Sequence, residues 1–537
     1  MLHSRPAQMD IHTIKKMEKK AVKSSQSDFL RMGIALFFMV FVLWYSYATN
    51  HSIPNNAFLA IAALFGAYMA LNIGANDVAN NVGPAVGSKA LTMGGAILIA
   101  AIFEASGAFI AGGDVVSTIK KGIIDPTLFV NPQEFIWAMT AALLAGGLWL
   151  NVATAVGAPV STTHSIVGGV MGGGIAAAGF SIVSWGTMGK IAASWVISPL
   201  LGGIVAALFL YSIKKSIVYK EDRISAMRKM VPIYVAIMSW AFVTYILLKG
   251  VKHLIKIDFL AASLIGLVAG VIAYLIVKPM VKKASTKLSN STSDANTLFT
   301  IPLIFAAALL SFAHGANDVA NAIGPLAAIA DAVQNTVISA KAPIPLWVMM
   351  VGAIGISLGL ALYGPKLIRT VGSEITELNQ IRAFSVAMAA AITVIIASQL
   401  GLPVSSTHIA VGGIFGVGFL REYLSNTTEE ENIRQERALL AEDKKVLKAL
   451  CGERENLEKK EGKTKEDYQR ITELYQMIED EEDRIKAEKK LIKRAENIKY
   501  VKRDAVKKII AAWIITVPAA ALLSAAIFYM IKGFMVN

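Results

Sequence analysis

The sequence predicts an all-α polytopic membrane protein, an inverted repeat of five-span units with broken helices, plus a cytosolic helical hairpin insert. Three observations predict it. Of the 537 residues, 55% are hydrophobic and only 17% are charged. Apolar runs of about 20 residues recur, and in hydrocarbon a helix satisfies its own backbone over such a run. Two polar motifs each occur twice, in the same order.

Taken from the N-terminus, residues 1–28 form a basic tail, with Lys15, Lys16, Lys19, Lys20 and Lys23. An additional apolar span follows at 29–50. Its basic flank is not followed by a small-residue cleavage site, so it reads as a retained anchor and not a cleaved leader. The first repeat, 55–213, holds spans near 55–75, 93–112, 133–156, 157–180 and 189–213. A two-span connector, 214–297, has its apolar segments near 231–249 and 258–278. The second repeat, 298–420, holds spans near 298–316, 344–364, 382–400 and 403–420, and a last span at 507–531 completes it. These elements amount to about 13 crossings of a membrane core.

Charge orients them. The formal net charge is +14. In a soluble chain that would suggest nucleic acid, but here the basic residues cluster in loops, where they set topology and meet anionic lipid. The 214–230 loop carries Lys214, Lys215, Lys220, Arg223, Arg228 and Lys229, whereas 50–56 and 180–188 are nearly free of charge. With the tail inside and one crossing per span, the 214–230 loop and the basic segments at 278–287, 366–382 and 421–506 fall on the cytoplasmic side of the cell membrane with it. The single cysteine, Cys451, excludes an intrachain disulfide.

"GANDVANNVGP" at 74–84 returns as "GANDVANAIGP" at 315–325, and "GAPVSTTHSIVGG" at 157–169 returns as "GLPVSSTHIAVGG" at 401–413. More weakly, "KIAASWVI" at 190–197 resembles "KIIAAWII" at 508–515. The chain is therefore a duplicated unit. The span at 55–75 and its partner at 298–316 lie an odd number of crossings apart, which inverts the halves. Inverted repeats with interrupted helices are typical of secondary transporters, whose site lies where the repeats meet.

In the first motif, Asp77 stands three residues from Asn80, and Asn76 four, so each pair shares a helix face. A carboxylate at mid-bilayer costs about 2.5–3.5 kcal/mol and marks function. Gly74, Gly83 and Pro84, with Gly315, Gly324 and Pro325, invite a helix break that would free carbonyl oxygens for a hard cation. Asp77, Asn80, Asp318 and Asn321 are the expected cation-coupling residues.

The second motif has the opposite character. Pro159 and Pro403 discourage a continuous helix, and Ser161 and Ser405 are good N-caps. Short half-helices beginning there would present amides and hydroxyls to an anion. Ser161, Thr162, Thr163, Ser405, Ser406 and Thr407 are the expected substrate ligands, with Asn76 and Asn317. His164 and His408 read as supporting hydrogen-bond donors or packing residues. Two histidines with no supporting cysteine in a serine-rich context argue against a zinc site, and no resident metal or cofactor is expected. Glu104, in the apolar run "AAIFEASGAF", has no equivalent in the second half; it is a proton or cation site or pairs with a polar neighbour.

No lysine or arginine occurs within 57–88, 142–189, 298–340 or 383–420, apart from the flanking anchors. An anion beside Asp77 and Asp318 would meet like charge, which only a partial helix dipole offsets. Such a site should take an anion and a cation together. Cotransport of Na+ or H+ follows.

The charged segment 421–506 interrupts the second repeat. Leu439, Leu447, Leu450 and Leu457 could line one helix face, and Ile471, Leu474, Ile478 and Ile485 another, with "KKEGKTKED" as a turn between them. This predicts an antiparallel hairpin or coiled coil. It reads either as a solvated spacer or as an arm for a cytosolic regulator.

The ordered GANDVAN and PVS[ST]TH blocks closely resemble the inorganic phosphate transporter (PiT) family, over about 55–420 plus 507–531. The resemblance implies a cation-driven symporter of inorganic phosphate with twelve core spans, a homodimer, and a site built from the matched residues above. The extra span at 29–49 and the hairpin depart from the family pattern without touching the site. Two alternatives stand beside this expectation: symport of another tetrahedral oxyanion, chiefly sulfate, and an intramembrane metal-dependent hydrolase using His164 and His408.

Overall fold

The computed structural model describes residues 11–51, 56–113, 116, 119, 122–250, 257–335, 344–373, 376–400, 404–496 and 500–536. The helix-breaking role read for Pro403 lies outside these residues, as do residues 1–10 of the tail. Among the described residues there is no β-strand, only an isolated bridge between Ile124 and Val183.

The first half comprises α1 (Ile11–Thr49), α2 (Asn56–Asn76), α3 (Ala79–Gly87), α4 (Met93–Ala111), α5 (Pro132–Val156), α6 (Thr162–Ala178) and α7 (Trp185–Ile213). The connector supplies α8 (Arg223–Lys249), α9 (Phe259–Ser285) and the short α10 (Thr292–Leu298). The second half comprises α11 (Thr300–Asp318), α12 (Ala320–Asn335), α13 (Leu346–Tyr363), α14 (Pro365–Ser373), α15 (Gln380–Gln399) and α16 (Ser406–Lys459). α17 (Lys465–Glu496) and α18 (Arg503–Val536) close the chain.

Eleven helical stretches among the described residues are long and apolar enough to cross a membrane, two fewer than the composition predicts. The expected span at 157–180 is the 17-residue α6. At 1.5 Å per residue it reaches about 26 Å, short of a ~30 Å hydrocarbon core. Its start is delayed because Pro159 and the extended residues to Ser161 cannot be helical. The expected span at 403–420 is the beginning of the 54-residue α16; no proline or paired glycine stops that helix where the apolar residues give way to charged ones. α1 also departs from expectation, since it begins at Ile11, inside the segment read as a tail.

α5 and α6 form a hairpin. The chain before α5 pairs with the chain after α6, Asp125 N donating to the Ile182 carbonyl at 2.8 Å and Ser184 N to that of Ile123 at 2.9 Å. The far end turns through Gly157, which adopts φ +76, a left-handed conformation suited to glycine.

The two copies of the repeat interlock. α2 packs on α13 of the other half, and α11 packs on α4. A Cβ on Gly74 would fall 1.9 Å from the Ile356 carbonyl oxygen, and one on Gly315 2.2 Å from that of Glu104. Conversely, a Cβ on Gly107 would fall 2.0 Å from the Phe312 carbonyl oxygen, and one on Gly359 1.9 Å from that of Leu71. These contacts correspond pair by pair between the copies. α6 likewise packs on α18, and the start of α16 meets α7 through Gly412 against Pro199 and Gly416 against Gly203. Glycines thus bring helix backbones together, as is common where bilayer helices associate without a hydrophobic driving force.

Residues 418–502 form a second compact unit, containing the distal part of α16 and all of α17. Leu474, Ile478 and Ile485 are buried along α17. Leu439, expected in the seam, is 51% exposed, and Asp443 one turn further on is buried instead, where Arg484 of α17 pairs with it at 3.3 Å. The turn places Gly462 at φ +74. It is pinned by Asp467, whose carboxylate Lys460 and the Thr464 amide and hydroxyl hold down to about 2.

Candidate functional site

α2 ends at Asn76 and α3 begins at Ala79, so the helix is interrupted on Asp77 and Val78. In the second copy the interruption falls on Val319, directly after Asp318. The glycines and prolines expected to break these helices do not. Pro84 and Pro325 lie inside α3 and α12, and Gly74 and Gly315 are packing contacts. At the first break the bonding tightens: Asn80 N and the Asn80 side-chain amide both donate to the Asp77 carbonyl, at 3.0 and 2.8 Å, and Asn81 N donates to the Val78 carbonyl at 3.1 Å.

The PVS[ST]TH segments approach from the other side. Ser161 Oγ accepts from the His164 amide and Ser405 Oγ from the His408 amide, each at 3.1 Å, so both are N-caps. The extended residues ahead of each cap are held by the first motif's asparagines. Val160 N donates to Asn76 Oδ1 at 3.1 Å, and Asn317 Nδ2 donates to the Val404 carbonyl at 3.1 Å. Asn76 and Asn317 therefore fasten the strap that positions each half-helix.

At the centre the two copies exchange hydroxyls. Thr162 Oγ1 donates to Asp77 Oδ2 at 2.7 Å, and Ser406 Oγ, its counterpart, donates to Asp318 Oδ2 at 2.6 Å. Thr407 Oγ1 contacts Asp77 closely, while Thr163 Oγ1 reaches Asp318 Oδ1 at 3.3 Å. Ser406 Oγ also lies 3.3 Å from Asp77 Oδ1, so each carboxylate receives hydroxyls from its own repeat and from the other. Asn321 Nδ2 ties Asp318 Oδ1 to Thr162 and Thr163, and Asn80 Nδ2 reaches Thr407 at 2.8 Å. All of these side chains are buried. Substrate hydroxyls and cation carboxylates, read from the sequence as opposite poles, form one network.

Two participants are absent from the sequence-based reading. His314 Nδ1 lies 2.7 Å from Glu104 Oε2, and its Nε2 lies 2.9 Å from Asp318 Oδ2 and 3.7 Å from Asp77 Oδ2. Asn81 Nδ2 donates to the other Glu104 oxygen at 2.7 Å. The signal for both was available: aligning the copies sets His314 against Ile73 and Asn81 against Ala322, and the reciprocal glycine contacts set Glu104 against Ile356. One side of an otherwise duplicated site is a polar chain, and the other is apolar.

His164 and His408 stand behind this network. Their ring centroids are 4.3 Å apart, flanked by Trp195 at 3.8 Å and Trp513 at 3.7 Å. This is the packing role, and among the described residues neither ring joins a carboxylate in a metal-binding group. The cluster suited to a cation lies elsewhere: one donor atom each from Asp77, His314 and Asp318 falls within 4.8 Å of the others. Among the described residues, no lysine or arginine forms an ion pair with Asp77, Glu104 or Asp318.

Comparison with known proteins agrees with this geometry. The model of a family described as the phosphate transporter family matches residues 73–524. A Helicobacter pylori (strain J99) protein, provisionally named a phosphate permease, is 50% identical over 533 residues, 97% of this chain and 98% of that protein. A Pyrococcus abyssi protein with the same provisional name is 39% identical over 363 residues, 68% of this chain and 89% of its own. A solved structure titled the sodium-dependent phosphate transporter superposes with a TM-score of 0.70 at 32% identity, covering 88% of this chain and 99% of the other. The family consists of transporters, not enzymes, which overturns the hydrolase alternative. The chain belongs to the phosphate transporter family.

Proposed function

We propose that this multi-pass membrane protein is a symporter that moves inorganic phosphate across the cell membrane together with Na+ or H+. One observation carries the reading: among the described residues, three buried carboxylates, Asp77, Asp318 and Glu104, pair with a single imidazole and with no lysine or arginine. Whatever the state of His314, an added phosphate meets an excess of negative charge unless cations enter or carboxylates take up protons. Family membership supports phosphate as the passenger.

In this reading the hydroxyls of Thr162, Thr163, Ser406 and Thr407 leave the carboxylates to hold phosphate, with the first-turn amides of α6 and α16 behind them. Asp77, Asn80, Asp318 and Asn321 then hold the cation. A hydrogen on phosphate can donate to Asp77 or Asp318. Sulfate lacks that hydrogen, so phosphate is favoured over sulfate. Glu104 contributes through His314. The halves are inverted: the α5–α6 hairpin crosses twice or not at all, so an even number of crossings separates α2 from α11 either way and the two helices run oppositely. Two copies pair in the membrane, and the 418–502 unit is an arm for a cytosolic partner.

Labelled-phosphate uptake into proteoliposomes tests the reading, with sodium and proton gradients imposed separately and sulfate as competitor. Gradient-driven phosphate accumulation that sulfate does not suppress is expected. Uptake indifferent to both gradients would refute symport, and full competition by sulfate would favour the wider oxyanion reading.

A further inference from the structure

The connector between the two repeats carries a basic cavity that the transport reading does not use. α7 ends at Ile213 in a π-helical turn, Lys214–Val218, and α8 begins at Arg223 after a four-residue link. Between them lies a cavity of about 970 Å³ whose lining includes Lys215, Lys220 and Lys229, the phenols Tyr211 and Tyr219, and Ser225. Both flanking helices belong to stretches long and apolar enough to cross a membrane, and the cavity sits at their shared end. It therefore opens at the level of lipid headgroups.

Its charge is mixed but positive. Glu221 and Asp222 also line it. Asp222, however, is occupied as the N-cap of α8, its Oδ1 accepting from Ser225 N at 2.9 Å. The first amides of α8 are thus taken by Asp222 and by Asn290, whose Oδ1 accepts from Arg223 N at 2.8 Å, and the three lysines carry the attraction for an anion. Lys215 Nζ lies 6.0 Å from the Tyr211 ring, and Lys214 Nζ 5.7 Å from that of Tyr219. Aromatic rings with cations beside them are a typical interfacial arrangement.

A second feature distinguishes a lipid from a free ion. Ile197, Leu200, Ile204, Leu208 and Tyr211 are all exposed along α7. Their spacing of three and four residues puts them on one face, and Lys215 continues that row. From residue 197 to residue 211 the stripe runs about 21 Å, more than one leaflet's share of a ~30 Å core. An apolar track leading into a basic cavity matches an acyl chain joined to an anionic headgroup.

We propose that this cavity binds one glycerophospholipid with an anionic phosphate headgroup, its chain lying along the α7 stripe. The three lysines engage the phosphate, and Ser225 and Glu221 engage headgroup hydroxyls. The bound lipid braces the segment joining the two repeats. This site is separate from the central network and does not depend on its assignment.

The test uses the purified full-length chain. Retained phosphatidylglycerol is counted by native mass spectrometry, and thermal unfolding is followed with phosphatidylglycerol, phosphatidylcholine or inorganic phosphate added. Wild type should retain phosphatidylglycerol and unfold at a higher temperature with it than with phosphatidylcholine. The triple variant Lys215→Gln, Lys220→Gln, Lys229→Gln should bind it at least about tenfold more weakly. If the triple variant does not fold, the single variant Lys215→Gln carries the same comparison with a smaller loss. Equal retention by wild type and variants, or equal stabilisation by phosphatidylcholine, overturns the proposal. Inorganic phosphate replacing the lipid through the same lysines also overturns it, and would make this a free-anion site.

Discussion

Glu104 of one repeat and His314 of the other meet at 2.7 Å, at a position where the alternate copies of the repeat place Ile356 and Ile73. The same pair of close helix crossings is built once with a buried polar chain and once with two isoleucines. The fold therefore does not need the polar version. Its retention beside Asp77 and Asp318 points to transport.

That contrast sets a direct comparison. Glu104→Ile or His314→Ile alone breaks a buried charge-paired contact from one side and should destabilise the protein by about 3–5 kcal/mol. The double variant copies the apolar side and should recover most of that loss in detergent unfolding. Uptake should stay absent in all three. Wild-type uptake by the double variant would reduce the pair to a structural brace.

Asp77→Asn and Asp318→Asn preserve shape but remove the charges that hold a cation. Each should abolish cation-driven phosphate uptake while the protein still inserts and elutes as wild type. Retained uptake with unchanged cation dependence in either variant would remove the carboxylates from the coupling role.

The reciprocal glycine contacts predict equal sensitivity in both copies. A methyl at Gly74 or Gly315 would fall within 2.2 Å of a backbone carbonyl oxygen, where no side chain can turn aside. Gly74→Ala and Gly315→Ala should each cost roughly 1–3 kcal/mol as the helices move apart, read by unfolding in detergent. A neutral outcome at one site only would show that the copies are not packed alike.

Replacing residues 427–502 with a short flexible linker should leave basal uptake intact, because residues 418–502 form a compact unit of their own. Loss of uptake in a well-inserted deletion would make the hairpin part of the transport cycle.

The motifs and caps were legible in the sequence because they obey local rules. Ser161 and Ser405 cap helices as their positions require, and the two GANDVAN blocks announce the duplication. Asp77 and Asp318 stand out as acids in apolar surroundings. Three features were not legible. The exact points of interruption, Asp77–Val78 and Val319, lie between the flanking glycines and prolines and depend on local turns, such as Asn80 N bonding the Asp77 carbonyl at 3.0 Å. The hydroxyls and carboxylates share one network, which only the crossing of the repeats reveals. His314 resembles a lone histidine on an apolar helix until Glu104, some two hundred residues earlier, is brought against it. Comparing the copies residue by residue would have exposed it, because symmetry made its absence from the other half conspicuous.

The most direct measurement is equilibrium binding of labelled phosphate to the purified protein, with every alkali cation replaced by a bulky organic one and the pH varied. Binding should vanish at alkaline pH and return on addition of sodium or on acidification. Undiminished binding with no accompanying ion, across the whole pH range, would contradict the account.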